Sequence, residues 1–331
     1  MPTIWAVASP PFAHETWFVS DDHGTDWSFA TESLTLGLLA AALVVTLGVR
    51  ALSRFRSGVD VPFLARLVPY VPFAIRLHLA VSLLGLLSLG FYLSPAMDLQ
   101  GDVTGVLLGA VMALVAIGMA TGWHTRAAAA LLVAAGPLGV LEFGFSPVLQ
   151  RIDMLGLAAF VLIAGPGRWS ADAETGSARE PSLPALGQAV WALRIAAGLA
   201  LVIVAFAEKL ANPDLALALL DEKPYLNVAR ELGLPLGDLE FIRLAGAIEV
   251  LFGLLLISGA LPQACVLVAG VPFNATLWFF GNTELVGHLP VYGAMLVLLV
   301  CGSHPEMRPR VAALWPWRRR ERFAGAPEPA Q

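Results

Sequence analysis

Residues 272–290 read PFNATLWFFGNTELVGHLP and join the end of one apolar run to the start of the next. Two apolar runs joined by so short a turn predict a pair of antiparallel helices, each able to cross a bilayer with its roughly 20 residues. Asn274, Glu284 and His288 interrupt this lipid-compatible sequence. Removing an amide, a carboxylate or an imidazole from water is costly unless the group finds a partner, so the stretch also indicates a place for a site.

The composition of the whole chain agrees with membrane helices. Of the 331 residues, 57% are hydrophobic and 14% are charged, which is far outside the usage of soluble domains. The formal net charge of -5 gives no reason to expect a nucleic-acid partner. We therefore predict an all-α polytopic membrane bundle whose first partner is the lipid bilayer.

Apolar runs of membrane-spanning length recur along the chain after the polar segment 1–33. Nine such runs cover residues 34–53, 72–94, 103–123, 127–144, 150–166, 187–208, 240–258, 263–281 and 285–302. The sequence therefore predicts about nine transmembrane helices.

The distribution of basic residues predicts the orientation of these helices. Since the runs alternate between the two sides, 15 of the 20 Lys and Arg residues fall on one side, including the tail from Arg308 to Arg322. The other five fall on the opposite side, in outer loops: Arg151, Lys209, Lys223, Arg230 and Arg243. Loops rich in Lys and Arg stay in the cytoplasm. We therefore expect the N-terminal segment 1–33 to be extracytoplasmic and the C-terminus to be cytoplasmic.

The apolar runs divide into two similar halves around an inner segment, 168–186, that has the composition of a linker. An even number of helices in each half predicts two parallel four-helix repeats, 70–167 and 187–302. The first helix with its inner loop, 34–69, and the basic tail, 303–331, are then additions. Five glycine pairs match at one constant spacing: Gly109 with Gly246, Gly122 with Gly259, Gly144 with Gly281, Gly156 with Gly293, and Gly165 with Gly302.

Several short segments resemble the DoxX family of bacterial membrane proteins. They are Arg194 at the opening of an apolar helix, AEKLANP at 207–213, GAIE at 246–249 followed by Gly253, and GPGRWSAD at 165–172. The resemblance implies a four-helix unit of the bacterial inner (plasma) membrane, duplicated here and preceded by an extra helix. It also implies quinone-linked chemistry with redox-protein subunits as partners, because some relatives form the membrane part of thiosulfate:quinone oxidoreductase or are associated with redox defence.

Glu249 is the first candidate catalytic residue. It lies near the middle of its predicted helix, where a charged carboxylate costs about 2.5 to 3.5 kcal/mol on insertion scales and needs a partner. Gly246 and Gly253 share its face, so we expect another helix to pack there and the carboxylate to face protein. A proton relay or polar-ligand site is one interpretation, and a protonated Glu249 in an interhelical hydrogen bond is the other.

Glu208 and Lys209 are the other candidate catalytic residues, at the outer end of the sixth predicted helix. Adjacent side chains on a helix do not face each other, so each is expected to pair elsewhere. Lys209 is either an anion contact, a counter-ion to Glu284, or an interfacial anchor that reaches the headgroups.

Asn274 and Trp278 are the candidate cofactor-binding residues. They lie one helical turn apart, just after Pro272, on a face that would stack a quinone ring. Tryptophan near a helix end is also typical of an aromatic belt, which is the alternative.

A metal site is a further candidate. Glu284 and His288 are spaced i, i+4, which puts both side chains on one face as an acid/base pair or as two metal ligands. His14 and Glu15 are expected on the same outer side, and the four residues together would hold copper or zinc. A solvated interfacial pair is the alternative.

Three function classes therefore stay open at the level of sequence. The first is a quinone- or redox-associated membrane component with a polar site in the second half. The second is a metal- or proton-coupled small-solute transporter. The third is a ligand-free structural subunit of a membrane complex. No electron-carrier motif, phosphate loop or nucleophilic triad is recognisable, so catalysis itself is left undecided.

Overall fold

The computed structural model describes residues 24–280 and 282–317, without the side chains of residues 276, 278–280 and 282–284. This part of the chain is all-helical, and its one β feature is an isolated bridge between Phe91 and Asp98. The longer helices are α1 (Ser33–Leu52), α2 (Val71–Ser88), α3 (Val103–Thr121), α4 (Thr125–Phe143), α5 (Ile152–Ala164), α6 (Leu183–Ala205), α7 (Pro213–Glu222), α8 (Asp238–Ser258), α9 (Pro262–Phe280) and α10 (Asn282–Gly302).

Seven spans of the described chain are long and apolar enough to cross a membrane, judged by length and composition. Their outward-facing residues are apolar as well: Val44 is 67% exposed, Val103 76% and Leu141 83%. An apolar surface of this extent is expected in contact with lipid and not with water. The chain is thus a multi-pass membrane protein. The count of nine spans stays a prediction, because α5 has only 13 residues and α9 is not among the seven.

The helix boundaries follow from local sequence. Asp102 caps α3 by accepting a hydrogen bond from the Gly105 backbone N–H at 2.8 Å. Gly122 ends the same helix in the left-handed conformation, with φ 70°, which glycine adopts without strain. Pro213 begins α7 and keeps Asn212 out of helical geometry, because the residue before a proline is restricted.

The helix α6 runs through the centre of the bundle and packs against α5 on one side and α8 on the other. The extra helix α1 packs on α8, and α2 packs on α3 and α10. The main hydrophobic core runs along α2 to α6 and α10. A smaller core joins the chain before α1 to α6, α7 and α8 and includes Phe29, Leu210, Ile242 and Val250.

The connections gather at two ends of the bundle. The basic end contains residues 53–70, 122–124, 165–182, 259–261 and 303–317, which are linked by hydrogen bonds such as Gln263 Nε2 to the Val59 carbonyl at 3.0 Å. The opposite end contains residues 24–32, 89–102, 144–151 and 206–237.

Two fully buried arginines stabilise the basic end. Arg76, on α2, and Arg194, on α6, are both 0% exposed, and each donates hydrogen bonds to backbone carbonyls in the last turn of a helix or in the segment that follows one. The acceptors are Met119, Pro166, Arg168 and Trp169 for Arg76, and Val311 and Ala313 for Arg194. A buried guanidinium needs hydrogen-bond acceptors, and here it finds them in the connecting segments, which the hydrogen bonds attach to the helices.

Candidate polar site at the end of α6

The candidate site begins with an irregular turn. Directly after α6, residues Phe206–Leu210 form a π-helical turn, and the Ala211 N–H donates to the Phe206 carbonyl at 2.8 Å. Single π turns within α-helices are frequent at functional sites. The turn coincides with the AEKLANP segment noted in the sequence, and it presents Glu208 and Lys209.

Lys209 forms an ion pair with Glu249. The Lys209 Nζ lies 3.1 Å from Glu249 Oε1, with 14% of the lysine side chain and 32% of the glutamate side chain exposed. Glu249 lies about 16 Å along α8 from its first residue, so the Lys209 side chain turns toward a neighbouring helix of the bundle. The need of Glu249 for a partner is met, and the interfacial-anchor interpretation of Lys209 stays an alternative.

Small residues allow this close approach of α6 and α8. A Cβ on Gly246 would lie 2.7 Å from Leu210 Cδ2, and a Cβ on Gly253 would lie 2.6 Å from Val202 Cγ2. The predicted small-residue surface of α8 is confirmed, and α6 is the helix that packs on it. Glu249 lies on the same face, which brings it to Lys209.

The two carboxylates of the site are held in different surroundings. Glu208 is 1% exposed. Glu249 Oε2 is buried and accepts no hydrogen bond from the described residues, although Oε1 of the same carboxylate faces Lys209. A buried carboxylate oxygen without a donor is an acceptor that a ligand donor or a proton would satisfy.

The chain before α1 covers the outer face of the π turn. The Asp26 N–H donates to the Ala211 carbonyl at 2.8 Å, and the Trp27 ring lies 6.0 Å from that of Phe206. Asp26 also caps the short helix Trp27–Thr31. Hydrogen bonds from the Ser28 side chain and backbone hold the pKa of Asp26 below its usual value.

Arg243 links the segment before α1 to α8. Its Nε donates to Thr35 Oγ1 at 2.9 Å, its guanidinium forms an ion pair with Glu32, and it lies 4.3 Å from the centre of the Phe29 ring. The sequence placed Arg243 among the outer basic residues and did not suggest this role. Its position on an apolar helix, six residues before Glu249, was the available signal.

Asn274 lies elsewhere, on the α9–α10 hairpin. Its side-chain amide is exposed and donates to the Gly270 carbonyl at 2.6 Å. It borders a shallow groove of about 590 Å³ between the two helices, lined by Val266, Leu267, Gly270, Val271, Tyr292, Met295, Leu296 and Leu299. Trp278 belongs to α9, but its side chain lies outside the described residues, so the ring-stacking face stays a prediction.

His288 is buried in the same hairpin. It is 7% exposed, and its ring meets that of Phe273 edge-on at 4.9 Å between centroids. The solvated-pair interpretation is therefore wrong for His288. The described residues contain no group of three or more His, Cys, Asp or Glu side chains that would hold a metal ion. His14, Glu15 and the Glu284 side chain lie outside the described residues, so the four-ligand site stays a prediction.

A buried ion pair that the sequence did not predict lies at the start of α5, where the first half of the chain contacts α10. Arg151 NH2 is 3.5 Å from Asp153 Oδ2, with 4% of each side chain exposed, and it also donates to the Gly287 carbonyl at 3.2 Å. Arg151 was counted as an outer-loop residue because it borders an apolar run. Its partner on α10 comes from tertiary packing, which a local pattern does not encode.

The structure thus unites part of the predicted set. Lys209 and Glu249 form one polar site with Glu208 on the adjoining π turn, whereas Asn274 and His288 belong to the α9–α10 hairpin. Comparison of the chain with protein-family models, curated proteins and solved structures gave no match.

Proposed function

We propose that this protein is a DoxX-like component of a redox system in the bacterial inner membrane and binds a quinone-type ligand at Glu208, Lys209 and Glu249. The observation that carries the proposal is the Lys209–Glu249 ion pair at 3.1 Å, set beside the buried Glu208. Ionisable groups inside a membrane bundle are costly and usually functional. A third of the Glu249 side chain is not covered by protein, which leaves a way for a ligand from the bilayer to reach it.

The chemistry follows from the donor and acceptor set. The Lys209 ammonium donates a hydrogen bond to a ligand carbonyl, and the carboxylates accept protons. Oxidation of a hydroquinone releases two protons and two electrons. Glu208 and Glu249 would accept the two protons, and a redox centre of a partner protein would have to accept the two electrons.

The proposed fold consists of two parallel four-helix units related by a pseudo-twofold axis. The first unit is α2 to α5, and the second is α6 with α8, α9 and α10, into which the short helix α7 is inserted. In its support, Arg76 and Arg194 hold equivalent positions beside left-handed glycines. A Cβ on Gly122 would lie 2.7 Å from Arg76 NH1, and one on Gly259 would lie 1.6 Å from Arg194 NH1. The two glycines also share nearly the same φ, 70° and 68°.

A second correspondence concerns the contacts between the units. Gly156 of α5 packs on Ala196 of α6, with 2.4 Å from its added Cβ to the Ala196 Cβ, and Gly293 of α10 packs on His78 of α2 at 3.2 Å. Gly156 matches Gly293 in the repeat. His78 and Ala196 each follow the matched arginine of their unit by two residues. Each unit's last helix therefore meets the other unit's first helix at the same place.

The repeat also supports a site in one unit only. The counterparts of Glu208 and Glu249 in the first unit are Gly90 and Met112. Met112 is 0% exposed and belongs to the main core. The first unit therefore has a buried apolar side chain at the position where the second unit has the carboxylate of Glu249. The orientation that we propose puts the polar site toward the outside and the basic end in the cytoplasm.

The test is quinone retention in purified protein. We expect stoichiometric co-purified quinone from the wild type and a severalfold lower content in Glu249→Gln, which keeps the side-chain shape but removes the charge. Glu231→Gln, at an exposed carboxylate of the same end, is the matched control and should retain as much quinone as the wild type. Absence of quinone from the wild type, or equal loss in both variants, contradicts the proposal.

Proton-coupled transport of a small solute is the second candidate, favoured by the buried Glu249 Oε2 that lacks a donor among the described residues. A carboxylate at this depth would take up and release protons during transport. Reconstituted wild type would then carry protons under an imposed pH gradient and Glu249→Gln would not, as followed with a pH-sensitive dye. Copper or zinc that co-purifies with the wild type and is lost in His288→Ala would favour metal coupling. If the wild type contains neither quinone nor metal and carries no protons, the remaining hypothesis is a structural subunit without a ligand.

A further inference from the structure

A pocket at the basic end lies apart from the polar site. It has a volume of about 480 Å³ and opens at the surface between the chain after α1 and the chain after α10. Its lining consists of Asp60, Pro62, Ala65, Arg66, Ser303, His304 and Pro305. We call it the basic-end pocket.

The walls of the basic-end pocket are fixed by hydrogen bonds. The Gln263 side chain accepts from the Val59 N–H at 2.8 Å and donates to the Val59 carbonyl and to Ser303 Oγ. The Val61 N–H donates to the Ser303 carbonyl at 3.3 Å, and Arg308 Nε donates to the Gly302 carbonyl at 2.8 Å. The pocket is therefore a preformed feature and not a gap between loose loops.

Two charged side chains, Asp60 and Arg66, line the pocket, and Arg66 is the one available to a ligand. Asp60 forms an ion pair with Arg308, which neutralises the acidic group of the lining. The Arg66 guanidinium is exposed and has no hydrogen bond or ion pair with the described residues. His304 Nδ1 accepts from the Glu306 N–H at 3.2 Å, so its Nε2 carries the proton and is a donor. Arg66 and His304 thus offer donors, which suit an anion with several acceptor oxygens.

The surroundings of the pocket fit a lipid as the carrier of that anion. The pocket is lined by the segments that follow α1 and α10, at an end of the bundle where the headgroups of a bilayer would lie, and most of its lining surface is apolar. Phe63, next to the lining residue Pro62, is 72% exposed, and Phe55, on the same connection, is 90% exposed. Exposed aromatic rings beside arginines are typical of the membrane interface.

We propose that the basic-end pocket binds the phosphodiester headgroup of an anionic phospholipid, with Arg66 and His304 on the phosphate oxygens and Phe63 against the acyl chains. Basic pockets near the ends of membrane helices bind anionic lipid headgroups by this combination of charge and apolar contact. The ligand class does not depend on the quinone proposal. The two are therefore tested separately, each with its own variants.

The test is lipid binding to the full-length protein in detergent, followed by native mass spectrometry and thermal unfolding with added phosphatidylglycerol or phosphatidylcholine. We expect the wild type to retain phosphatidylglycerol preferentially and to unfold at a higher temperature in its presence. Arg66→Gln should weaken the binding of phosphatidylglycerol roughly tenfold, because a charged hydrogen-bonding group is lost. His304→Ala should weaken it by a smaller factor.

Arg179→Gln is the matched control, since Arg179 is an exposed arginine of the same end that lies outside the pocket. It should bind lipid as the wild type does, and all variants should unfold at the wild-type temperature without lipid. Equal losses in Arg66→Gln and Arg179→Gln, or no preference for the anionic lipid, would overturn the proposal. Displacement of the lipid by millimolar inorganic phosphate would assign the pocket to a free anion and overturn it as well.

Discussion

Arg194 NH1 lies where a side chain on Gly259 would have to begin, 1.6 Å from the position of its Cβ. The arginine end is normally flexible, but this one is 0% exposed and donates to the Val311 and Ala313 carbonyls. Gly259 also has φ 68°, which L-residues rarely adopt. The contact therefore connects the end of α8, the buried arginine of α6 and the segment after α10.

Gly259→Ala should destabilise the protein by about 4 kcal/mol. About 1 to 2 kcal/mol comes from the left-handed backbone, and the rest comes from displacing Arg194 from its carbonyl partners. Gly176→Ala is the control, because Gly176 has φ 72° and nothing within 4 Å of an added Cβ, so it should show the backbone cost alone. The free energies of unfolding in detergent give the comparison. Equal costs would mean that the Arg194 contact adds nothing.

Replacing one member of the Lys209–Glu249 pair should cost more than replacing both. Lys209→Met and Glu249→Leu should each lower the free energy of unfolding by about 2 kcal/mol, since each removes one of the two opposite charges of a partly exposed ion pair. In the double variant neither charge of the pair remains, and the loss should be smaller than in either single variant. A double-mutant cycle measures the coupling, and additive losses would show that the pair does not interact in solution.

The path of the helices could be predicted from the sequence because a membrane span must be continuously apolar, and that requirement is local. Each predicted run overlaps a helix of the structure, as for 240–258 and α8. The glycine spacing around Glu249 likewise predicted which of its faces meets protein. Both patterns depend on residues within a few turns of each other.

The partner of Glu249 could not be predicted in the same way. A regular helix would point Lys209 in another direction, and the extra residue of the π turn rotates its side chain by about 100°. The turn is followed at once by Asn212, the N-cap of α7, so the chain leaves α6 and enters α7 within two residues. Arg151 was missed for a related reason, because its acceptor, the Gly287 carbonyl, lies on a helix far away in sequence.

The turn between α3 and α4 should weaken at acidic pH. Asp172 accepts hydrogen bonds from the His124 N–H, the Thr125 N–H and Thr125 Oγ1 at 2.7 to 2.9 Å. Burial raises the pKa of this carboxyl, but the hydrogen bonds from Thr125 and His124 together outweigh it, so the pKa lies below the ordinary 3.8.

A folded-state pKa below the unfolded one contributes stability above pH 3.8, and that contribution is lost as the pH falls through the lowered pKa. The wild type should therefore be more stable than Asp172→Asn at neutral pH, and the difference should close below pH 3.8. Thermal unfolding across this pH range measures it. Glu180→Gln, which breaks the exposed pair with Arg168, should change little at any pH. A difference between wild type and Asp172→Asn that is independent of pH would contradict the assignment.

Exchanging the two small residues where α5 crosses α6 should restore a packing that either single change disturbs. Gly156→Ala puts a methyl group 2.4 Å from the Ala196 Cβ and should cost about 1 to 3 kcal/mol by overpacking. Ala196→Gly alone should cost about 1 kcal/mol through helix propensity. Combined, the two changes return one methyl group to the crossing, so the double variant should be more stable than Gly156→Ala alone.

Gly136→Ala, on α4 with open space around it, is the control and should be neutral or slightly stabilising. If the double variant were no more stable than Gly156→Ala, the close approach of α5 and α6 would not be set by this pair, and the proposed match with Gly293 and His78 would lose its support.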